Sequence, residues 1–113
     1  MVPNELSQNK IKEIVDRIVG IAHPNRIILF GSCARGEMRS NSDVDLLVIK
    51  GGKYNYYRLL GDIHKSLHGI GIDVDIVLVT PEQVQRYCNT RYLVIAPALK
   101  DGIEIYHDQM LYS

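Results

Sequence analysis

Residues 31–45 read Gly31-Ser32-Cys33-Ala34-Arg35-Gly36-Glu37-Met38-Arg39-Ser40-Asn41-Ser42-Asp43-Val44-Asp45. Asp43 and Asp45 stand one residue apart and open the apolar run Leu46-Leu47-Val48-Ile49. Alternate strand side chains share a face, so the two carboxylates point the same way while Val44 and Leu46 point the other. Two carboxylates on one face at the start of a strand suit a hard cation. Magnesium takes oxygen ligands, typically one or two carboxylates plus substrate phosphates. Without such a cation, two buried like charges at this spacing would be costly.

Upstream, Gly31-Ser32 ends a second apolar run, Ile27-Ile28-Leu29-Phe30. Glycine at such a turn permits unusual dihedrals and close approach of an anion. Backbone N–H groups exposed in the turn favour phosphate oxygens. The Ser32 hydroxyl adds a donor, Ser42 stands beside Asp43, and Arg35 can neutralise charge. The combination points to a metal-bound nucleoside triphosphate. A Walker loop is excluded because no lysine follows Gly36, and G-x-G-x-x-G is absent. An EF-hand starting at Asp43 fails at Leu47 and Val48, where a polar ligand and a glycine would be needed.

The elements that must position these residues read as alternating helices and strands. Leu6, Ile11, Ile14, Val15, Ile18 and Val19 predict an amphipathic helix over 5–19, broken by His23-Pro24-Asn25. Lys50-Gly51-Gly52 is a turn after the second strand. Residues 54–68 read as a helix with Tyr56, Leu59, Leu60, Ile63 and Leu67 on one face, ended by Gly69-Ile70-Gly71. Pro81-Glu82 starts another helix, with Thr80 as its cap. This pattern predicts an α/β domain.

At 113 residues the chain is expected to form one domain, 1–113. Hydrophobic content of 46% and charged content of 23% are ordinary for a globular protein. A formal net charge of zero argues against broad nucleic-acid binding, which relies on an excess of Lys and Arg. No apolar run is long enough for a membrane span, and Met1-Val2-Pro3-Asn4-Glu5 does not read as a signal peptide. Cys33 and Cys88, isolated from each other, fit a reducing, cytoplasmic setting. His64 and His68 have a zinc-compatible spacing but no further ligand beside them, so the reading is against zinc. Tyr54, Tyr56 and Tyr57 are expected to divide between core and surface, with partner binding as a second role.

The pattern from Gly31 through Asp43 and Asp45 to Val48 resembles the nucleotidyltransferase superfamily of DNA polymerase beta, and more closely its minimal nucleotidyltransferases. The resemblance takes in the leading helix, the strands 27–30, 44–49 and 74–79, the Thr80-Pro81-Glu82 helix start and the closing Leu99-Lys100-Asp101-Gly102-Ile103-Glu104-Ile105-Tyr106. It implies a polymerase-beta-like fold, a mixed central sheet flanked by helices. It also implies a third carboxylate on a neighbouring strand. Asp75, followed directly by apolar residues, matches the family's pattern, with Asp73 as the flanking alternative. Relatives carry arginine where Cys33 stands, which leaves Arg35 or Arg39 to meet the triphosphate.

The implied mechanism is phosphoryl chemistry with two magnesium ions, which lie about 3.5–4 Å apart in such sites. Asp43 and Asp45 would bridge both, Asp75 would serve the incoming nucleophile, and Gly31, Ser32, Ser42 and Arg35 would hold the phosphates. The expected reaction transfers a nucleoside monophosphate, AMP from ATP, to an acceptor hydroxyl. Larger superfamily members grip substrate with added domains, so something else is expected to complete this site. The family often stands beside a HEPN-domain protein, which implies an antitoxin that modifies a tyrosine of that toxin. Two other readings stay open: a non-catalytic, partner-binding antitoxin, and a small-molecule (antibiotic) nucleotidyltransferase, which a homodimer with a cleft between subunits would favour.

Overall fold

A computed structural model describes residues 8–30, 44–87 and 102–108. The element order is α1 (Gln8–Ala22), β1 (Arg26–Phe30), β2 (Val44–Ile49), α2 (Tyr56–Ser66), β3 (Val74–Val79), α3 (Pro81–Tyr87) and β4 (Ile103–His107). The strands form one sheet in the order β3-β2-β1-β4. β1 pairs antiparallel with β2 and with β4, whereas β2 and β3 are parallel. The sheet is therefore mixed and the fold α/β, as the sequence predicted.

Strand alternation divides the core between the two faces. On one, Ile27, Leu29, Val44, Leu46, Val48 and Leu78 pack with Ile14, Ile18 and Ala22 of α1 and Ile63 of α2. On the other, Ile28, Leu47, Ile49 and Val79 form a second cluster with Phe30, Val77 and Val84 of α3. A sheet buried on both faces needs near-continuous apolar strands. Val44–Ile49 meets that need, interrupted only by Asp45.

The helix ends show how local chemistry sets the connections. α1 runs on to Ala22, beyond the expected end, because Ala22 continues the buried stripe. It stops where His23 turns to φ +47° and donates its N–H to the Val19 carbonyl at 3.1 Å, and Pro24 follows. α2 starts two residues later than expected, because the Asn55 side chain accepts the Arg58 N–H at 3.0 Å and acts as the cap. Two cations of α1 cover the far end of α2: Arg17 donates to the carbonyls of Ser66 and His68, and Lys10 to that of Ile70. Such donors satisfy carbonyls that a helix end leaves unpaired. Gly69 and Gly71, both at positive φ, allow the tight turn that tucks Ile70 into the core. At α3 the expected cap is a reciprocal box: Thr80 Oγ1 accepts the Gln83 N–H at 3.1 Å, and Gln83 Oε1 accepts the Thr80 N–H at 2.9 Å.

Ile63 is fully buried between α2, α1 and the sheet. Ile63→Ala is expected to cost about 2–5 kcal/mol in urea unfolding. Thr80→Ala, which loses only the α3 cap, is expected to cost about 1 kcal/mol in the same measurement.

Candidate active site

The parallel pairing of β2 with β3 runs Val44↔Val74, Asp45↔Asp75, Leu46↔Ile76. Asp45 and Asp75 are therefore direct neighbours across the pair, and side chains of such partners share a face. Adjacent strands lie about 4.8 Å apart, which brings the two carboxylates within reach of a common cation. The face is that of Leu47, Ile49, Val77 and Val79, opposite the one α1 and α2 cover. A hydrogen bond from the Val44 N–H to the Asp73 carbonyl, 2.9 Å, fastens the two strands at this end.

Antiparallel pairing adds Phe30 of β1 opposite Asp45. One row across the sheet thus reads Phe30, Asp45, Asp75, above an apolar row of Ile28, Leu47 and Val77. Asp45 is half-buried and Asp75 is exposed, so one carboxylate is set into the sheet while the other faces solvent. Phe30 was read only as a strand residue. Its place beside the acid follows from the antiparallel return of β2 along β1, which the sequence does not state.

Segment 31–43 leaves the sheet after Phe30 and returns at Val44, the same end of the sheet as the acidic pair. Gly31, Ser32, Cys33, Arg35, Arg39, Ser42 and Asp43 lie outside the described residues. Covalent connectivity fixes this much: Gly31 follows the residue opposite Asp45, and Asp43 precedes the residue before it. Asp73 stands just ahead of β3 and is exposed.

The other singled-out residues are placed as follows. His64 and His68 are both exposed on and after α2. Among the described residues no three His, Cys, Asp or Glu side chains gather into a metal-binding group. The tyrosines divide: Tyr54 is half-buried, with its hydroxyl donated to the Lys50 carbonyl at 2.9 Å, while Tyr56 and Tyr57 are exposed. Burial, then Tyr56 and Glu82 nearby, raise the Tyr54 phenol above its ordinary pKa. No helix among the described residues is long and apolar enough to cross a membrane.

On the same face, Glu104 of β4 stands opposite Ile28, is an ion-pair partner of Arg26 at the end of the sheet away from Asp45, and lies 3.4 Å from His107 Nδ1. The Arg26 hydrogen bond is the main cause that holds the Glu104 carboxyl below its ordinary pKa, opposed by partial burial and assisted by His107.

Asp45 and Asp75 thus stand side by side at the head of two parallel strands. The sequence profile described as Polymerase beta, Nucleotidyltransferase matches residues 9–109. The chain belongs to that family. Its fold is similar to that of a Sulfolobus solfataricus protein assigned as a nucleotidyltransferase (TM-score 0.62, 21% identity, 89% of this chain and 80% of that one). It is also similar to a toxin–antitoxin structure with AMP-PNP (TM-score 0.61, 22% identity, 96% of this chain and 77% of that one). A third is a variant of the toxin–antitoxin MntA-HpeT with two Asp→Glu substitutions (TM-score 0.57, 19% identity, 96% and 76%). At these identities the likeness is one of fold. No curated protein sequence matches the chain.

A lowered carboxyl pKa gives stability that is present above the unfolded value and lost as pH falls through the folded one. Glu104→Gln is therefore expected to reduce stability at neutral pH by under about 1 kcal/mol, because the pair is partly exposed and screened. Urea titrations at falling pH are expected to bring variant and parent together once Glu104 is protonated.

Proposed function

We propose that this chain is a magnesium-dependent nucleotidyltransferase that moves AMP from ATP onto a tyrosine hydroxyl of a HEPN-domain toxin, and so acts as the antitoxin of a cytoplasmic pair. The observation that carries the catalytic reading is the in-register placement of Asp45 beside Asp75 on one face. A solvated strand start needs one acid at most. Two on adjacent strands, with a third expected at Asp43, make an all-oxygen donor set of the kind magnesium takes. The partner reading is supported by the family resemblance and by the toxin–antitoxin structures that share this fold, one of them with AMP-PNP. In the variant structure the substituted aspartates stand one residue apart in their own chain, as Asp43 and Asp45 do here.

In this mechanism Asp43, Asp45 and Asp75 would hold the two cations. Magnesium, when bound, supplies charge neutralisation at the phosphates and a polarised α-phosphate. Gly31 and Ser32 would offer N–H and hydroxyl donors to the phosphate chain, assisted by Ser42 and Arg35. The tyrosine oxygen attacks the α-phosphorus, the bond to the bridging oxygen breaks, and pyrophosphate leaves. Exposed Asp75 meets the acceptor from the solvent side and takes the phenolic proton.

The test is intact-mass spectrometry of the cognate HEPN protein after incubation with this protein, magnesium and ATP. AMP-sized additions are expected. Asp45→Asn and Asp75→Asn are each expected to slow them by more than the roughly 10–100-fold that loss of a supporting residue costs at a metal site. Unmodified partner in a stable complex would instead favour a module that neutralises by binding alone.

A further inference from the structure

The start of α2 carries chemistry that the site above does not use. Tyr57 is 81% exposed and Tyr56 41%, with their rings meeting edge to face at 5.1 Å. Tyr54 has its hydroxyl committed to Lys50, and half-buried Tyr106 packs against the core. Among the described tyrosine side chains, Tyr57 thus presents ring and hydroxyl most fully to solvent. Its surroundings in sequence are cationic: Lys50 to Arg58 holds Lys50, Lys53 and Arg58 and no acid. Lys53 and Arg58 are exposed.

Topology separates this tyrosine from the carboxylates of its own chain. Asp45 is the second residue of β2, and the chain leaves that strand at Ile49, past which Tyr54 anchors to Lys50. The strand alone separates Asp45 from Lys50 by about 16 Å at 3.3 Å per residue. α2 is the crossover that returns the chain to the parallel strand β3, so its first residues stand at the opposite end of the sheet from Asp45 and Asp75. Both ends belong to well-packed elements, so Tyr57 cannot enter its own site. It can enter that of another molecule, where a basic flank meets the triphosphate and exposed Asp73 and Asp75.

We propose that Tyr57 is an acceptor for nucleotidyl transfer in trans, modified by the Asp45–Asp75 site of a second copy of this chain. The inference rests on the nucleotidyltransferase reading above. Tyr57 Oη attacks the α-phosphorus of a nucleoside triphosphate bound to the other copy. An oxygen–phosphorus bond forms, the bond from the α-phosphorus to the bridging oxygen breaks, and pyrophosphate leaves with its electron pair. The phenolic proton passes to a site carboxylate and then to water. Lys53 and Arg58 draw the acceptor segment towards the phosphates.

The experiment incubates the purified full chain with magnesium and ATP, with tyramine as a soluble phenol in parallel. Fragment-ion mass spectrometry then reads the tryptic peptide Tyr54–Arg58. An AMP-sized addition on Tyr57 is expected, with a modified fraction per unit time that rises with protein concentration. Tyr57→Phe is expected to lose that addition yet still modify tyramine, which shows that it folds. Mixing it with an Asp45→Asn, Asp75→Asn chain that retains Tyr57 is expected to place the addition on the latter. Modified tyramine with unmodified Tyr57 overturns this proposal and leaves the nucleotidyltransferase reading standing. An addition on Tyr57 independent of concentration, or one on Tyr56 alone, also overturns it. No transfer to tyramine, to Tyr57 or to the HEPN protein overturns both readings.

Discussion

The parallel register of β2 with β3 is the constraint on which the acidic end depends. It is not set by the carboxylates, which repel. It is set by the apolar residues that alternate behind them. A slip of one residue would turn Asp75 onto the face where Val74, Ile76 and Leu78 pack against the helices, and would turn Val77 and Val79 away from their cluster. Burying a carboxylate there without a partner would cost several kcal/mol. Hydrophobic burial on two faces thus holds two like charges together, and a cation can repay what the repulsion costs.

The crossover has the same origin. Parallel neighbours need a connection that travels the length of the sheet, and α2 provides it. α2 is fixed at its start by Asn55, along its length by Ile63, and at its end by Arg17 and Lys10 reaching across from α1. These residues decide where β3 begins, and through the Val44–Asp73 hydrogen bond they decide which aspartate stands beside Asp45.

Local features were legible in the sequence, and pairings were not. The Asp43-x-Asp45 spacing predicts a shared face because alternation is a property of one strand, with Asp43 outside the described residues. The Thr80 cap was legible because capping acts over three residues. The stop at His23-Pro24 was legible for a similar reason, although apolar Ala22 carries α1 further than its main stripe suggested. Asp73 and Asp75 share a face in any extended strand, so the residues alone left both open, and the family pattern favoured Asp75. The register that makes Asp75 the neighbour of Asp45 exists only once two strands have met. β4 shows the same limit. Its closing segment belonged to the resemblance, but the pairing with β1, irregular between Ile27 and Ile28, depends on contacts far away in sequence.

The sheet is chemically polarised along its strands. One end carries Asp45, Asp75 and Asp73, and the other leads into the cationic, tyrosine-rich Lys50–Arg58. A net charge of zero conceals this separation, because composition averages over both ends. Charges at the two ends are separated by more than the roughly 8 Å over which screening acts in physiological salt, so Lys53 and Arg58 do not neutralise Asp45 and Asp75. The βαβ connection that brings Asp45 beside Asp75 is also what carries Tyr57 away from them, so a single topological fact defines the site and separates it from the most exposed phenol among the described residues.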